Sequence, residues 1–407
     1  MTRDVILTVG LLLAAGLAAR VLADALRLPE IALLIAFGAL LGPSVVDVVD
    51  VPLDSLGAQL LFTFGVSSIL FYGGINLSLA VLRNVAVSLG LLAIPGVVLT
   101  AAITGGVAAL AFGLPLEQGL LIGAVLSPTD PAMLIPLFVA SRVRLKVAQT
   151  VIAESAFNDP TGAILALAVA GALLSGDAGI GEPAVDFVVE LVISSLVGIV
   201  AGVLLSATIS SRRSGILRDS APIAVLAVVS VSYVSLDFAG GSGYLGAFLA
   251  GLIVGNMELL GLAMHSHHED ELRIASRTLS EVVTIFVFLV VGASLPFSTL
   301  ADNWAPSLAV VAVLLVVARP LTVLACTLPD RRAGWSRREL TFLCWTRETG
   351  VVPAALVGVL AGLGVPGVER LAGVVALAIV ATLLLQAAPA PWLARRLGLL
   401  EPVSVRE

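Results

Sequence analysis

Residues 154–162 read Glu154-Ser155-Ala156-Phe157-Asn158-Asp159-Pro160-Thr161-Gly162, inside an apolar run spanning about 146–174. Two carboxylates and an amide in such a run cannot all be surface groups. Ser155 and Asp159 are spaced i, i+4 and share a helix face; Glu154 and Asn158 share the adjacent one. Ionisable groups inside a membrane span are rare and point to function by default. A carboxylate flanked by hydroxyls and carbonyls offers the oxygen ligands that hard cations take. The plainer alternative is a buried polar network that holds helices together. For Glu154 that structural reading is the better one; for Asp159 it is the cation site.

The rest of the chain has the same solvent. Of its 407 residues, 59% are hydrophobic and 12% charged. A soluble domain is about 25% charged, so this chain cannot cover a water-facing surface. Apolar runs of about 20 residues fit a bilayer core, and continuous runs exclude an outer-membrane barrel, whose strands alternate. About 13 spans are expected, near 4–23, 29–46, 57–80, 84–112, 117–139, 146–174, 186–209, 219–238, 242–262, 274–295, 305–327, 339–362 and 368–394. Eighteen of the 22 basic residues fall in alternate connections or at the chain end; the opposite connections carry acids such as Asp47, Asp50, Asp186, Asp237 and Asp302. The positive-inside rule then puts the N-terminus outside and the C-terminus in the cytoplasm of a cell-membrane protein. Residues 1–25 resemble a signal peptide, but Asp4 opposes a positive n-region and the span is expected to be retained. After Arg396 a short tail is expected, without a cytosolic regulatory domain. Cys326 and Cys344 lie in apolar stretches and read as small buried hydrophobes. No metalloprotease, P-loop or dinucleotide motif appears, so neither an enzyme nor a cofactor nor a nucleic-acid partner is expected.

Three further constellations sit at membrane depth. In Ser127-Pro128-Thr129-Asp130-Pro131, two prolines break span 5, Asp130 is placed to cap the second half-helix, and Thr129 offers a hydroxyl and a free carbonyl. Arg319-Pro320 puts a permanent cation in span 11, and Glu154 is its best partner. Trp345-Thr346-Arg347-Glu348-Thr349-Gly350-Val351-Val352-Pro353 reads as a second broken helix. Two interrupted helices in corresponding halves point to a transporter site. His265, His267 and His268 fall with Glu269, Asp270 and Glu271 in a cytoplasmic connection; a solvated loop is the plain reading and a pH sensor the sharper one.

Thr129-Asp130-Pro131, Glu154-Ser155 with Asn158-Asp159, and Arg319-Pro320 resemble the cation:proton antiporter superfamily, in its electroneutral, NhaP-like sodium/proton exchanger branch. Phe71 through Leu77 and Pro29 through Pro43 are similar too, and the likeness covers essentially the whole chain. The resemblance implies an all-α polytopic membrane fold of inverted repeats with two crossed discontinuous helices. It implies core helices near 84–174 and 305–394, dimerisation helices near 4–80 and 219–295, a linker helix near 186–209, and a homodimer. It also implies that Asp159 binds Na+ or a proton, with Thr129 and Ser155 as further Na+ ligands and Asn158 beside them, and that Asp130, Glu154 and Arg319 balance charge. Where relatives often have Glu, this chain has Tyr72. Where many read Leu-Arg-Gly, it has Glu348-Thr349-Gly350 with the arginine at Arg347. Arg347, Glu348 and Thr349 are therefore additional candidates.

The expected activity is exchange of a monovalent cation, Na+ first and Li+ or K+ as alternatives, for H+. Burial disfavours a carboxylate's charged form. A proton and a cation can then compete for the same oxygens of Asp159, and crossing only when loaded gives antiport. A cation channel and a sodium-coupled solute transporter are the rival readings.

Overall fold

A computed structural model describes residues 2–26, 30–53, 55–79, 83, 85–130, 134, 138, 142–175, 181–212, 215–295 and 297–401. The helices that position the site are, in chain order, α1 (Thr2–Leu26), α2 (Glu30–Leu41), α3 (Leu56–Ile75), α4 (Ala86–Phe112), α5 (Leu116–Leu126), α6 (Leu145–Ser175) and α7 (Gly181–Ile209). They continue as α8 (Ala221–Ala239), α9 (Gly243–Gly255), α10 (Ser266–Ala293), α11 (Trp304–Thr327), α12 (Arg337–Trp345), α13 (Val351–Gly362) and α14 (Val368–Leu397). Among the described residues, nine helices are long and apolar enough to cross a bilayer and four shorter ones are apolar. A helix satisfies its own backbone, which is what hydrocarbon demands. The chain is a multi-pass membrane protein.

Local signals set the ends. Gly113, Gly240 and Gly398 take the left-handed conformation and close α4, α8 and α14. Ser336 and Glu339 form a reciprocal capping box at the start of α12. Among the described residues, three helices contain a π-helical turn: 61–65 in α3, 314–318 in α11 and 383–387 in α14. The extra residue in such a turn rotates the rest of the helix about its axis, and the second of the three delivers Arg319. Residues 399–401 pair with 142–144 in a single antiparallel bridge, so the described end of the chain is tied to the start of α6.

Helices meet backbone to backbone at glycines. Gly38 of α2 and Gly42, just past its end, lie against Leu289 and Ala293 of α10. Gly74 of α3 lies against Phe248 and Gly251 of α9, and Gly123 of α5 against Ala101 of α4. A methyl group at any of these would overlap the neighbour's main chain, and such small contacts are what membrane helices use to approach closely.

One expectation is revised. Hydropathy starts span 10 at 274 and leaves the histidines in a connection, but α10 begins at Ser266. Its first turns carry i, i+4 pairs, Glu269–Arg273 at 3.0 Å and His267–Glu271 at 3.3 Å, which support helix beyond the apolar run. Span 5 is interrupted where its prolines predict: α5 stops at Leu126 and 127–130 are non-helical, while Pro131 lies outside the described residues. Pro160, next to Asp159, is accommodated within α6, which runs from 145 to 175 as span 6 predicts. It leaves the carbonyl of Ala156 without its helical donor.

Candidate functional site

The two interrupted helices cross at their breaks. Residues 127–130 follow α5, and 346–350 separate α12 from α13. Asp130 N–H donates to the carbonyl of Glu348 at 3.0 Å, and Val351 N–H donates to Asp130 Oδ2 at 2.9 Å. The carboxylate thus caps α13, where the helix dipole favours an anion, while residues 131–133, which the sequence suggests it also caps, lie outside the described residues. Gly350 is required here, because a Cβ would fall on the Asp130 side chain.

Arginines hold the opposite ends. Arg347 Nη2 donates to the carbonyls of Leu126, Ser127 at 3.2 Å and Pro128 at 3.1 Å, so it caps the C-terminal end of α5. Arg319 does the same for α12: its Nε donates to Leu343 O at 3.0 Å and its Nη2 to Thr346 O at 3.1 Å. Arg319 also grips Glu154 through both nitrogens, Nη1 on Oε1 and Nη2 on Oε2 at 3.0 Å. Both side chains are almost fully buried. This fork-to-fork geometry offsets the cost of taking two charges out of water.

The face of α6 one turn on meets the first break. Thr129 N–H donates to Asn158 Oδ1 at 3.0 Å, and Asn158 Nδ2 donates to Thr129 Oγ1 at 2.8 Å. Thr129 Oγ1 lies 3.2 Å from Ser155 Oγ, which in turn donates to the Thr129 carbonyl. Gly162 lets α6 approach this break, since a Cβ there would strike Pro128. Asp159 sits beside the ring, 7% exposed, and its Oδ1 is buried with no hydrogen-bond partner. Such an atom is unusual in a folded protein and asks for an explanation.

On the second break, Glu348 and Thr349 are fully buried. Thr349 N–H donates to Thr382 Oγ1 at 3.0 Å, while Thr349 Oγ1 has no partner. Buried Gln386, in the π turn of α14, is not among the sequence candidates; its Oε1 has no partner either. A lone amide in an apolar run is the signal that points to it. Tyr72 lies on α3 and the three histidines at the start of α10, where His268 contacts Glu271 at 3.3 Å and Asp219 at 3.6 Å.

Residues 9–396 match the family of transmembrane sodium/hydrogen exchangers. The K(+)/H(+) antiporter NhaP of Alkalimonas amylolytica is 30% identical over 354 residues, which are 86% of this chain and 59% of that one. The chain thus spans about three fifths of the length of that relative. Probable Na(+)/H(+) antiporter 2 of Methanocaldococcus jannaschii is 29% identical over 360 residues, 85% of this chain and 82% of that one. The solved sodium proton antiporter MjNhaP1 of the same archaeon, 24% identical, has the same fold, with a TM-score of 0.80 over 97% of this chain and 99% of that one. With two crossed discontinuous helices in place and the match running from Val9 to Arg396, the chain belongs to the transmembrane sodium/hydrogen exchanger family.

Proposed function

We propose that this protein is a secondary antiporter that exchanges a monovalent cation for a proton at Asp159, and that it is neither an enzyme nor cofactor-dependent. The observation that carries the reading is the buried Oδ1 of Asp159, without a partner beside the oxygens of Thr129 and Ser155. Asp159, Thr129 and Ser155 are the cation's ligands. Asn158 orients the ring, because its amide spans both the N–H and the hydroxyl of Thr129. Asp130, Arg319 with Glu154, and Arg347 neutralise the half-helix ends around the site. Glu348 and Thr349 line the second break as auxiliary polar groups. Na+ is the first choice of cargo, with Li+ or K+ as alternatives; the two relatives above carry K(+)/H(+) and Na(+)/H(+) in their names.

The N-terminus faces out and the C-terminus the cytoplasm, in 13 crossings. The core helices of 84–174 and 305–394 move against a scaffold of 4–80 and 219–295, with 186–209 as the linker, and the scaffold pairs two chains into a homodimer. Backbone-to-backbone contacts within α2–α10, α3–α9 and α4–α5 support this division, since each lies inside one body. The test is Asp159→Asn, which keeps the volume and removes both the charge and the titratable oxygen. Cation-driven proton flux in proteoliposomes should vanish while the protein stays folded. Flux above about a tenth of wild type would reject the site.

A further inference from the structure

One contact joins core and scaffold through side chains on glycine. Where α3 meets α13, glycines face side chains rather than backbone. A Cβ at Gly358 would overlap the ring of Phe62, and one at Gly362 would overlap the amide of Gln59. The two glycines are spaced i, i+4 and form one smooth groove on α13. Gln59 Nε2 donates to Leu53 O of its own body at 2.7 Å and to Gly358 O of the other at 3.0 Å. Phe62 is fully buried, and its carbonyl accepts from Tyr244 OH of α9 at 3.3 Å, so the ring is anchored to the scaffold.

Two open cavities, of about 330 Å³ and about 440 Å³, lie at the end of the bundle that carries Asp50 and Glu369. They share the walls Leu53, Ser294 and Ala361. Ala361 is three residues beyond Gly358 on α13, while the crossover at Val351 lies seven residues the other way. At 1.5 Å per residue, Gly358 stands about 10 Å from the crossover and about 5 Å from Ala361. Along α13, Phe62 on Gly358 therefore stands between these cavities and the crossover.

We propose that Gln59 is a gating residue: its amide latches scaffold to core at Gly358, holding Phe62 as the plug that closes the Asp50–Glu369 face. This rests on the two-body reading above and names the contact that must part in each cycle. The latch is weak by construction. A carbonyl has two lone pairs, so Gly358 keeps its helical bond when the amide leaves. Gln59 is half-buried, and the Leu53 whose carbonyl also holds it lines both cavities, so the freed amide keeps a partner at the cavity wall. The ring slides along glycine without unlocking a backbone contact.

The test uses the full chain with Cys326→Ser and Cys344→Ser as background. Gln59→Cys with Gly362→Cys should form a disulfide under mild oxidation. Cation-driven proton flux should then fall to the level of Asp159→Asn and return on reduction. A disulfide that forms without loss of flux overturns the latch, and a pair that cannot be linked overturns the contact. Gln59→Leu keeps the bulk and loses both donors. With Ala355→Cys as reporter below the plug, labelling by an impermeant maleimide from the cavity face should rise about fivefold, the shift one hydrogen bond commands. Unchanged or slower labelling also overturns the proposal. If Asp159→Asn is inactive and the disulfide is harmless, the latch fails alone. If Asp159→Asn still exchanges, the site reading fails.

Discussion

Arg319 and Glu154 form an ion pair between side chains only 3% and 4% exposed. Their task is to tie α6 to α11 and, through the Leu343 and Thr346 carbonyls, to the end of α12. Removing one partner leaves the other charged and buried. Glu154→Gln and Arg319→Gln should therefore each lower stability by about 3–5 kcal/mol, and the double variant should lose less than the sum. Thermal unfolding of the four proteins measures this, and strict additivity would show that the two are not partners. Charges in apolar runs stand out, which is why Asp159, Glu154 and Arg319 are legible in the sequence alone. Gln59 and Gln386 are not, because an amide adds nothing to a charge count. The partner of Asp130 is hidden for another reason. Capping rules are local, and nothing in residues 127–131 says that the nearest free helix end belongs to residue 351.

At the scale of the element, each break is sealed by a residue from elsewhere: Arg347 on α5, Arg319 on α12, Asp130 on α13. The proline at 128 and the glycine at 350 announce where helices are interrupted, since those residues remove a donor or a Cβ. The start of α10 is less legible, because a hydropathy reading ends where charge begins, while i, i+4 pairs carry the helix on. A similar tie lies outside the spans. Asp330 Oδ2 accepts from Ser88 N–H at 3.0 Å and Ser88 Oγ at 2.8 Å, at the start of α4, and Trp335 Nε1 donates to the same hydroxyl. Burial alone would raise the Asp330 carboxyl, but the bonds from Ser88 and the Ala333 and Arg332 backbone outweigh it and hold it below its ordinary value. A lowered value means stability that is present above the unfolded pKa, about 3.9, and lost as pH falls through the folded one. Asp330→Asn should cost about 1.5–3 kcal/mol at pH 7, and the gap should close below about pH 4. Melting temperatures from pH 7 to pH 3 check this; a gap that ignores pH would mean that the charge is not what binds.

For the whole molecule, the decisive quantity is the charge that crosses with the core. Glu154 and Arg319 cancel, Asn158 is neutral, and the half-helix caps travel with the core in both directions. On the proposed mechanism, what changes between the two loaded states is the occupant of Asp159. A cation and a proton each leave that carboxylate with the same net charge, so both crossings move equal charge and a membrane potential has nothing to act on. Exchange should thus be electroneutral, one cation for one proton. Glu348 is the group that could upset this, as a second carboxylate, fully buried on the crossover. If it took up and released a proton in each cycle, two protons would cross for one cation and the rate would follow the potential. The measurement is sodium-driven proton exchange in proteoliposomes under potassium diffusion potentials of either sign. The rate should be the same at both, with wild type and Glu348→Gln alike. A rate that changes strongly with the sign rejects one-for-one exchange, and loss of that dependence in Glu348→Gln would identify Glu348 as the second proton carrier.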